Sequence, residues 1–227
     1  MIDPRSLCLS ASSLDIYTLC PRKFFYIYLA PDKLRISLED HGRRGTQFHR
    51  LVAILTHLTP AERQPWLDRV DPKVRSWWEN FRRAGLDQAK GKVYSEFPVH
   101  WQYRGWKLQA KYDRLVITAT GYEIWDWKTG KETISWQHSL YPLLWHWYKD
   151  VAPESISLHF WYAQDGKTIS FPYNQQRKEA DQGKLDRVLD QLEDQQFPPT
   201  TDSKNCLDCF FRYHCWGKAD IRNPASY

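Results

Sequence analysis

Asp126 and Lys128 stand two apart in Ile124-Trp125-Asp126-Trp127-Lys128-Thr129-Gly130, and Asp113 lies upstream in Lys111-Tyr112-Asp113-Arg114-Leu115. On an extended strand, residues two apart share a face, so this carboxylate and ammonium point the same way. By itself the pair also suits a plain surface ion pair. Asp113 adds a constraint. A turn ending at Gly121 centres a hairpin near residues 119–120 and sets Asp113 opposite Asp126. Facing carboxylates repel unless a cation lies between them. A divalent cation on oxygen ligands with a lysine beside it is the arrangement that phosphodiester hydrolysis requires. The ion polarises the phosphoryl oxygen and lowers the pKa of a bound water, while lysine orients that water or offsets developing charge.

A second constellation is Cys206-x2-Cys209-x5-Cys215, with Cys20 far upstream. The C-x2-C plus one more thiol is a chelating turn that needs a fourth ligand, and zinc or an iron–sulfur cluster both suit it. Free thiols are the third reading, and His214 is a conceivable substitute ligand. Cys8, between Leu7 and Leu9, reads as a buried small hydrophobe. Five cysteines so distributed do not form a disulfide framework. No apolar run is long enough to span a bilayer, and Met1-Ile2-Asp3-Pro4-Arg5 does not open a secretory signal. The expected location is the cytoplasm, where thiols stay reduced.

Positioning these groups needs a scaffold. Residues 93–102, 107–118 and 122–128 are rich in β-branched and aromatic side chains and are separated by Tyr103-Arg104-Gly105 and Ala119-Thr120-Gly121, which predicts a three-stranded meander. Glu96, on its first strand, reads as a further acid near the site or as a surface charge. Residues 155–163 and 167–173 predict a hairpin. Phe48, Leu51, Val52 and Leu55 have helical spacing within 44–57, and 135–148 is a further helix. Ser12-Ser13-Leu14-Asp15 reads as a capping box, Cys20-Pro21 as a break, and 22–29 as a second helical segment. Asn174 is placed to cap a last helix with the stripe Leu185, Val188, Leu189 and Leu192, ended by Phe197-Pro198-Pro199. Residues 31–41 read as a polar loop and 58–90 as a helical insert. The expected architecture is one α/β domain over 1–227, with a central mixed sheet flanked by helices, an N-terminal helical segment and a C-terminal cysteine-rich tail.

Composition bounds the partners. The 42% hydrophobic share of 227 residues supports a sizeable core and excludes wholesale disorder. A net charge of +5 is compatible with a polyanion but is not histone-like. Twelve Trp can fill a core or offer base-stacking platforms, Trp101 and Trp106 being the candidates for stacking. Arg22-Lys23, Arg43-Arg44, Arg82-Arg83, Lys90 and Lys92 are solvated faces or phosphate contacts. No sequence-reading motif is present, so any nucleic-acid contact is expected to be sequence-independent.

In this order the motifs resemble the PD-(D/E)xK nuclease superfamily, and within it the RecB-like branch. That branch includes nuclease domains of recombination helicase–nucleases and iron–sulfur CRISPR adaptation nucleases. Asp113 matches the first acidic motif and Asp126-Trp127-Lys128 the D/E-x-K motif; Gln137 and Tyr141 match Gln-x-x-x-Tyr; Gly45-Thr46-Gln47-Phe48-His49 matches Gly-x-x-x-His. Tyr112 stands where the superfamily's name has Pro, and the D-x-K acid is Asp, which leans towards the recombination side. The resemblance implies a restriction-endonuclease-like core, Mg²⁺ or Mn²⁺ on His49, Asp113, Asp126 and the Trp127 backbone carbonyl, and Lys128 positioning the attacking water. Gln137 and Tyr141 would hold the site together and touch the substrate phosphate. It implies a 4Fe–4S cluster on Cys20, Cys206, Cys209 and Cys215, within a subregion made of 8–30 and 200–220. The implied activity is cleavage of single-stranded DNA or DNA ends in repair, recombination or CRISPR spacer processing, with a helicase or CRISPR adaptation partner. Its rival is a non-catalytic DNA-binding module that acts with such a partner.

Overall fold

The computed structural model describes residues 2–31, 42–88, 90–195 and 197–216; the expected loop at 31–41 lies almost wholly outside these. Alternating β-branched and aromatic runs build a six-stranded mixed sheet: β1 (Cys8–Leu9), β2 (Lys92–Tyr103), β3 (Trp106–Ile117), β4 (Tyr122–Lys128), β5 (Ile156–Tyr162) and β6 (Lys167–Pro172). β2, β3 and β4 form the antiparallel meander, β5 joins β4 in parallel, and β6 closes the far edge antiparallel to β5. β1 runs parallel to β3 on the edge that β4 also uses. The β3–β4 register runs from Ile117↔Tyr122 to Arg114↔Trp125, so its continuation brings Asp113 to Asp126. Arg104 and Gly105 both have positive φ, the conformation that a two-residue hairpin turn of primed type requires.

The helices are α1 (Ala11–Leu19), α2 (Pro21–Phe24), α3 (Arg43–Leu55), α4 (Pro60–Leu67), α5 (Pro72–Arg83), α6 (Gln137–Lys149), α7 (Gln175–Glu193), α8 (Lys204–Leu207) and α9 (Arg212–Trp216). α1, α6 and α7 cover one side of the sheet, where Leu14, Leu140, Trp145, Leu185 and Leu189 pack on Leu108, Tyr112, Leu158 and Phe160. α3 and α5 cover the other, packing Phe48, Leu51, Trp78 and Phe81 against Trp127 and Trp161. α6 is also the crossover between the parallel strands β4 and β5, which fixes its place beside the end of β4.

Four expectations are corrected. The α1 capping box is Ser10 with Ser13, not Ser12 with Asp15, which leaves the Asp15 carboxylate to accept from the Trp136 N–H at 2.8 Å. The 22–29 segment is two pieces, α2 and a π-helical turn at Phe25–Leu29. Cys8 is exposed because period-two alternation on β1 turns it away from its buried neighbour Leu9. Trp106 is buried in the sheet core and offers no stacking face, whereas Trp101 is partly exposed. Among the described residues no helix is long and apolar enough to cross a membrane.

The ribbon β2–β3 carries a break that sequence alternation does not announce. On β3, Ala110 and Tyr112 face the α6 core, but so does Leu115, three residues on rather than two; on β2 the same holds for Tyr94 and Phe97. The pairing is in step on both sides, Ser95↔Arg114 and Phe97↔Tyr112, so Glu96 lies opposite Asp113 at the break. Glu96 there has φ 53°, a left-handed conformation that non-glycine residues adopt at a cost. The phase change sends Arg114 to the opposite side, where its guanidinium lies 5.2 Å and 5.1 Å from the Phe81 and Trp127 ring centres.

Candidate active site

α3 delivers His49. Its apolar stripe seats on the α5 side of the sheet, with Phe48 fully buried and stacked on Trp161 at 5.8 Å between ring centres. One turn earlier, Gly45 lets the helix close on the end of β4, since a Cβ there would come within 2.9 Å of the Thr129 hydroxyl. His49 Nδ1 lies 2.8 Å from Asp113 Oδ1. The other Asp113 oxygen accepts from the Trp127 N–H at 2.6 Å. The Lys128 carbonyl accepts from the Ala163 N–H on the β5 side, so by strand alternation the Trp127 carbonyl faces the Asp113 side of β4.

Both oxygens of Asp126 are engaged. Lys128 Nζ lies 2.6 Å from Oδ2, and Gln137 Nε2 donates to Oδ1 at 2.9 Å. The same Gln137 amide accepts from Lys128 Nζ and faces the Tyr141 hydroxyl at 2.9 Å, so this one side chain ties acid, lysine and phenol together. Gln137 and Tyr141 meet because they are one turn apart on α6. The Tyr112 hydroxyl donates to the Tyr141 carbonyl at 2.8 Å, pinning the helix to β3.

Charge is concentrated where water is scarce. Asp113 and Asp126 are both buried. Burial first, and then the neighbouring Asp113 charge, push the Asp126 carboxyl up to about 6 against the pull of Lys128 and His49. Burial disfavours the His49 imidazolium, but the Asp113 hydrogen bond and the charges of Asp113, Asp126 and Glu96 outweigh it, so its pKa is raised. Burial pushes the Tyr141 phenol up as well, which keeps it a neutral hydrogen-bonding group.

A cavity of about 850 Å³ opens over these residues, with Glu96, His100, Gln109, Lys111 and Arg50 on its walls and Ser10 and Ser12 at the start of α1 on its rim. The structure thus brings His49, Asp113, Asp126, Trp127, Lys128, Gln137 and Tyr141 to one cavity. A hard divalent cation fits this donor set of carboxylate oxygens and one imidazole, and its charge would offset the burial and the Asp113 repulsion that together raise Asp126. Among the described residues, His49, Glu96 and Asp113 are the group whose ligand atoms all lie within 4.8 Å of one another. Bound there, the ion would supply Lewis-acid polarisation of a phosphoryl oxygen and a water of lowered pKa. Of the residues the sequence did not single out, Arg50 follows His49 on α3, and Gln109 and Lys111 recur at the strand period before Asp113. That period was the signal that could have found them.

The thiols come from two stretches of the chain far apart in sequence. Cys20, Cys206, Cys209 and Cys215 are all half-buried, and the Cys215 thiol is pushed up by burial, with Arg22 opposing and the other three thiols adding. The segment after Cys20 is tied to the C-terminal segment. Arg22 donates from its backbone N–H to the Pro198 carbonyl at 3.1 Å and from Nε to Phe197 at 2.7 Å, and Tyr26 stacks on Phe211 at 5.1 Å.

Comparison with known proteins adds the family. A protein from Eubacterium rectale, named "Putative exonuclease", has a crystal structure 10% identical in sequence; the match covers 91% of this chain and 87% of that one, with a TM-score of 0.54. The crystal structure of SSO0001 is 12% identical over 96% of this chain and 89% of that one, with a TM-score of 0.46. No curated protein matches the chain. The family profile described as PD-(D/E)XK nuclease superfamily matches residues 8–216, which span the sheet, the cavity and the cysteines alike. The chain belongs to the PD-(D/E)XK nuclease superfamily.

Proposed function

We propose that this chain is a metal-dependent deoxyribonuclease of the RecB-like branch, hydrolysing phosphodiester bonds in single-stranded DNA or at DNA ends during repair, recombination or CRISPR spacer processing. The observation that carries the reading is the burial of Asp113 and Asp126 side by side, with Lys128 held between Asp126 and Gln137 on an open cavity. In it, His49, Asp113, Asp126 and the Trp127 carbonyl hold Mg²⁺ or Mn²⁺. Lys128 orients the attacking water, and Gln137 with Tyr141 fixes Lys128 and meets the phosphate. The neighbour named as an exonuclease fits a preference for ends.

The same reading gives Cys20, Cys206, Cys209 and Cys215 a 4Fe–4S cluster, with zinc the alternative, that clips 8–30 to 200–220. The bearing of the other three thiols on Cys215 and the Arg22 bonds to Phe197 and Pro198 support it. Residues 58–90 act as an insert whose α5 backs α3, and the protein works in the cytoplasm beside a helicase or an adaptation partner. Cutting of end-labelled single- and double-stranded DNA, with RNA beside them, tests the reading in Mg²⁺ and Mn²⁺. Metal-dependent cutting is expected from the parent chain and none from Asp126→Asn. Cutting that persists in the variant would move the chemistry elsewhere, and a folded parent that binds DNA without cutting would favour the binding-module reading.

A further inference from the structure

We infer that Glu96 is a ligand of the divalent cation, and that Lys111 stands in for that cation while the site is empty of it; the inference rests on the reading of the cavity as a divalent-metal site. Four observations converge. The carboxylate of Glu96 belongs to the group, with His49 and Asp113, whose ligand atoms lie within 4.8 Å of one another. Asp113 and Asp126 each have both oxygens engaged, the first by His49 and the Trp127 N–H and the second by Lys128 and Gln137, whereas Glu96 is paired with the exposed Lys111. The β2–β3 ribbon changes phase at the one cross-strand position where Glu96 meets Asp113, and Glu96 holds a left-handed backbone there. A surface charge has no need of that conformation, and glycine would adopt it at no cost.

The fourth observation is electrostatic. Two acids placed opposite each other need positive charge nearby, and Glu96 has an ion pair with Lys111. That ammonium ends a flexible side chain that is more than half open to solvent. A divalent ion on Glu96, His49 and Asp113 would displace it at small cost, because an exposed pair of this kind contributes little. Glu96 is itself only partly exposed and lines the cavity.

The test is Mn²⁺ binding, read by calorimetry and by the electron paramagnetic signal of free Mn²⁺, without DNA. The parent, Asp113→Asn, Glu96→Gln and Glu96→Gly are compared. Loss of a charged ligand weakens binding by about tenfold or more, and that loss is expected in both Glu96 variants. Glu96→Gly relieves the left-handed backbone and should melt no lower than the parent, so weaker binding there cannot be misfolding. Lys111→Met should tighten Mn²⁺ binding in the parent and do so less in the Glu96→Gln background. Full Mn²⁺ affinity in both Glu96 variants, with loss in Asp113→Asn, overturns Glu96 as a ligand and leaves the metal site standing. An equal gain from Lys111→Met in both backgrounds overturns its role as the stand-in. No Mn²⁺ binding by the parent overturns the metal reading itself.

Discussion

Burial makes Asp126 costly to the fold when it is charged. Its folded pKa lies near 6, above the 3.8 of the ordinary group, through burial and the Asp113 charge. A carboxyl raised in this way contributes its stability below the unfolded pKa and loses it as pH rises through the folded one. Asp126→Asn mimics the protonated acid at every pH. Without metal it should therefore be more stable than the parent at pH 8, on the order of 3 kcal/mol, with the advantage fading by pH 4. Thermal melts at the two pH values check this, and a pH-independent difference would contradict it. The stabilised variant should be the one that cannot cut. At this scale Asp113, Asp126 and Lys128 were legible because a strand's period of two and one turn place them. Arg114 was not: nothing local says that a charged side chain will be buried against Phe81 and Trp127, its guanidinium lowered to about 10 by that burial.

Elements carry the site through their joints. Gly121 closes the β3–β4 turn where a Cβ would come within 2.2 Å of the Ser155 carbonyl oxygen, so Gly121→Ala must move backbone. Gly105, in the β2–β3 turn at φ 79°, has nothing within 4 Å of such a Cβ. The first substitution should cost more than about 2 kcal/mol and weaken Mn²⁺ binding, because it disturbs the register that brings Asp113 to Asp126. The second should cost only the roughly 1–2 kcal/mol of a left-handed alanine and leave Mn²⁺ binding intact. Urea midpoints and Mn²⁺ titrations distinguish them; equal losses in both would mean that close approach at Gly121 is unimportant. The meander, the β5–β6 hairpin, α3, α6 and α7 were all readable as elements, since periodicity and turn residues are local. The phase change at Glu96 and Asp113 was not, because it is forced by two strands together.

The whole molecule is a sheet between two cores, with the residues after Cys20 stitched to those before and after Pro198. If the four thiols hold a cluster, closing so long a stretch of chain lowers the entropy of the unfolded state and so stabilises the fold. Cys206→Ser should lose the brown colour and absorbance near 400 nm of anaerobically purified protein. It should also speed limited proteolysis within 197–216 while the β2–β4 meander stays protected. A colourless parent holding zinc would assign the other metal, and unchanged proteolysis in the variant would show that Arg22 and Tyr26 make the tie alone.

By itself the sequence determined which residues share a face and which elements carry them: Asp126 with Lys128 on β4, Gln137 with Tyr141 on α6, and the hairpin that aims Asp113 at Asp126. These are relations between near neighbours, and backbone geometry dictates them. Tertiary structure alone decided what covers each face. It brought His49 across to Asp113, tied Gln137 to Asp126, drew Glu96 into the metal-sized group and buried Trp106. Each of these depends on how distant segments pack against one another, and no local periodicity carries that information.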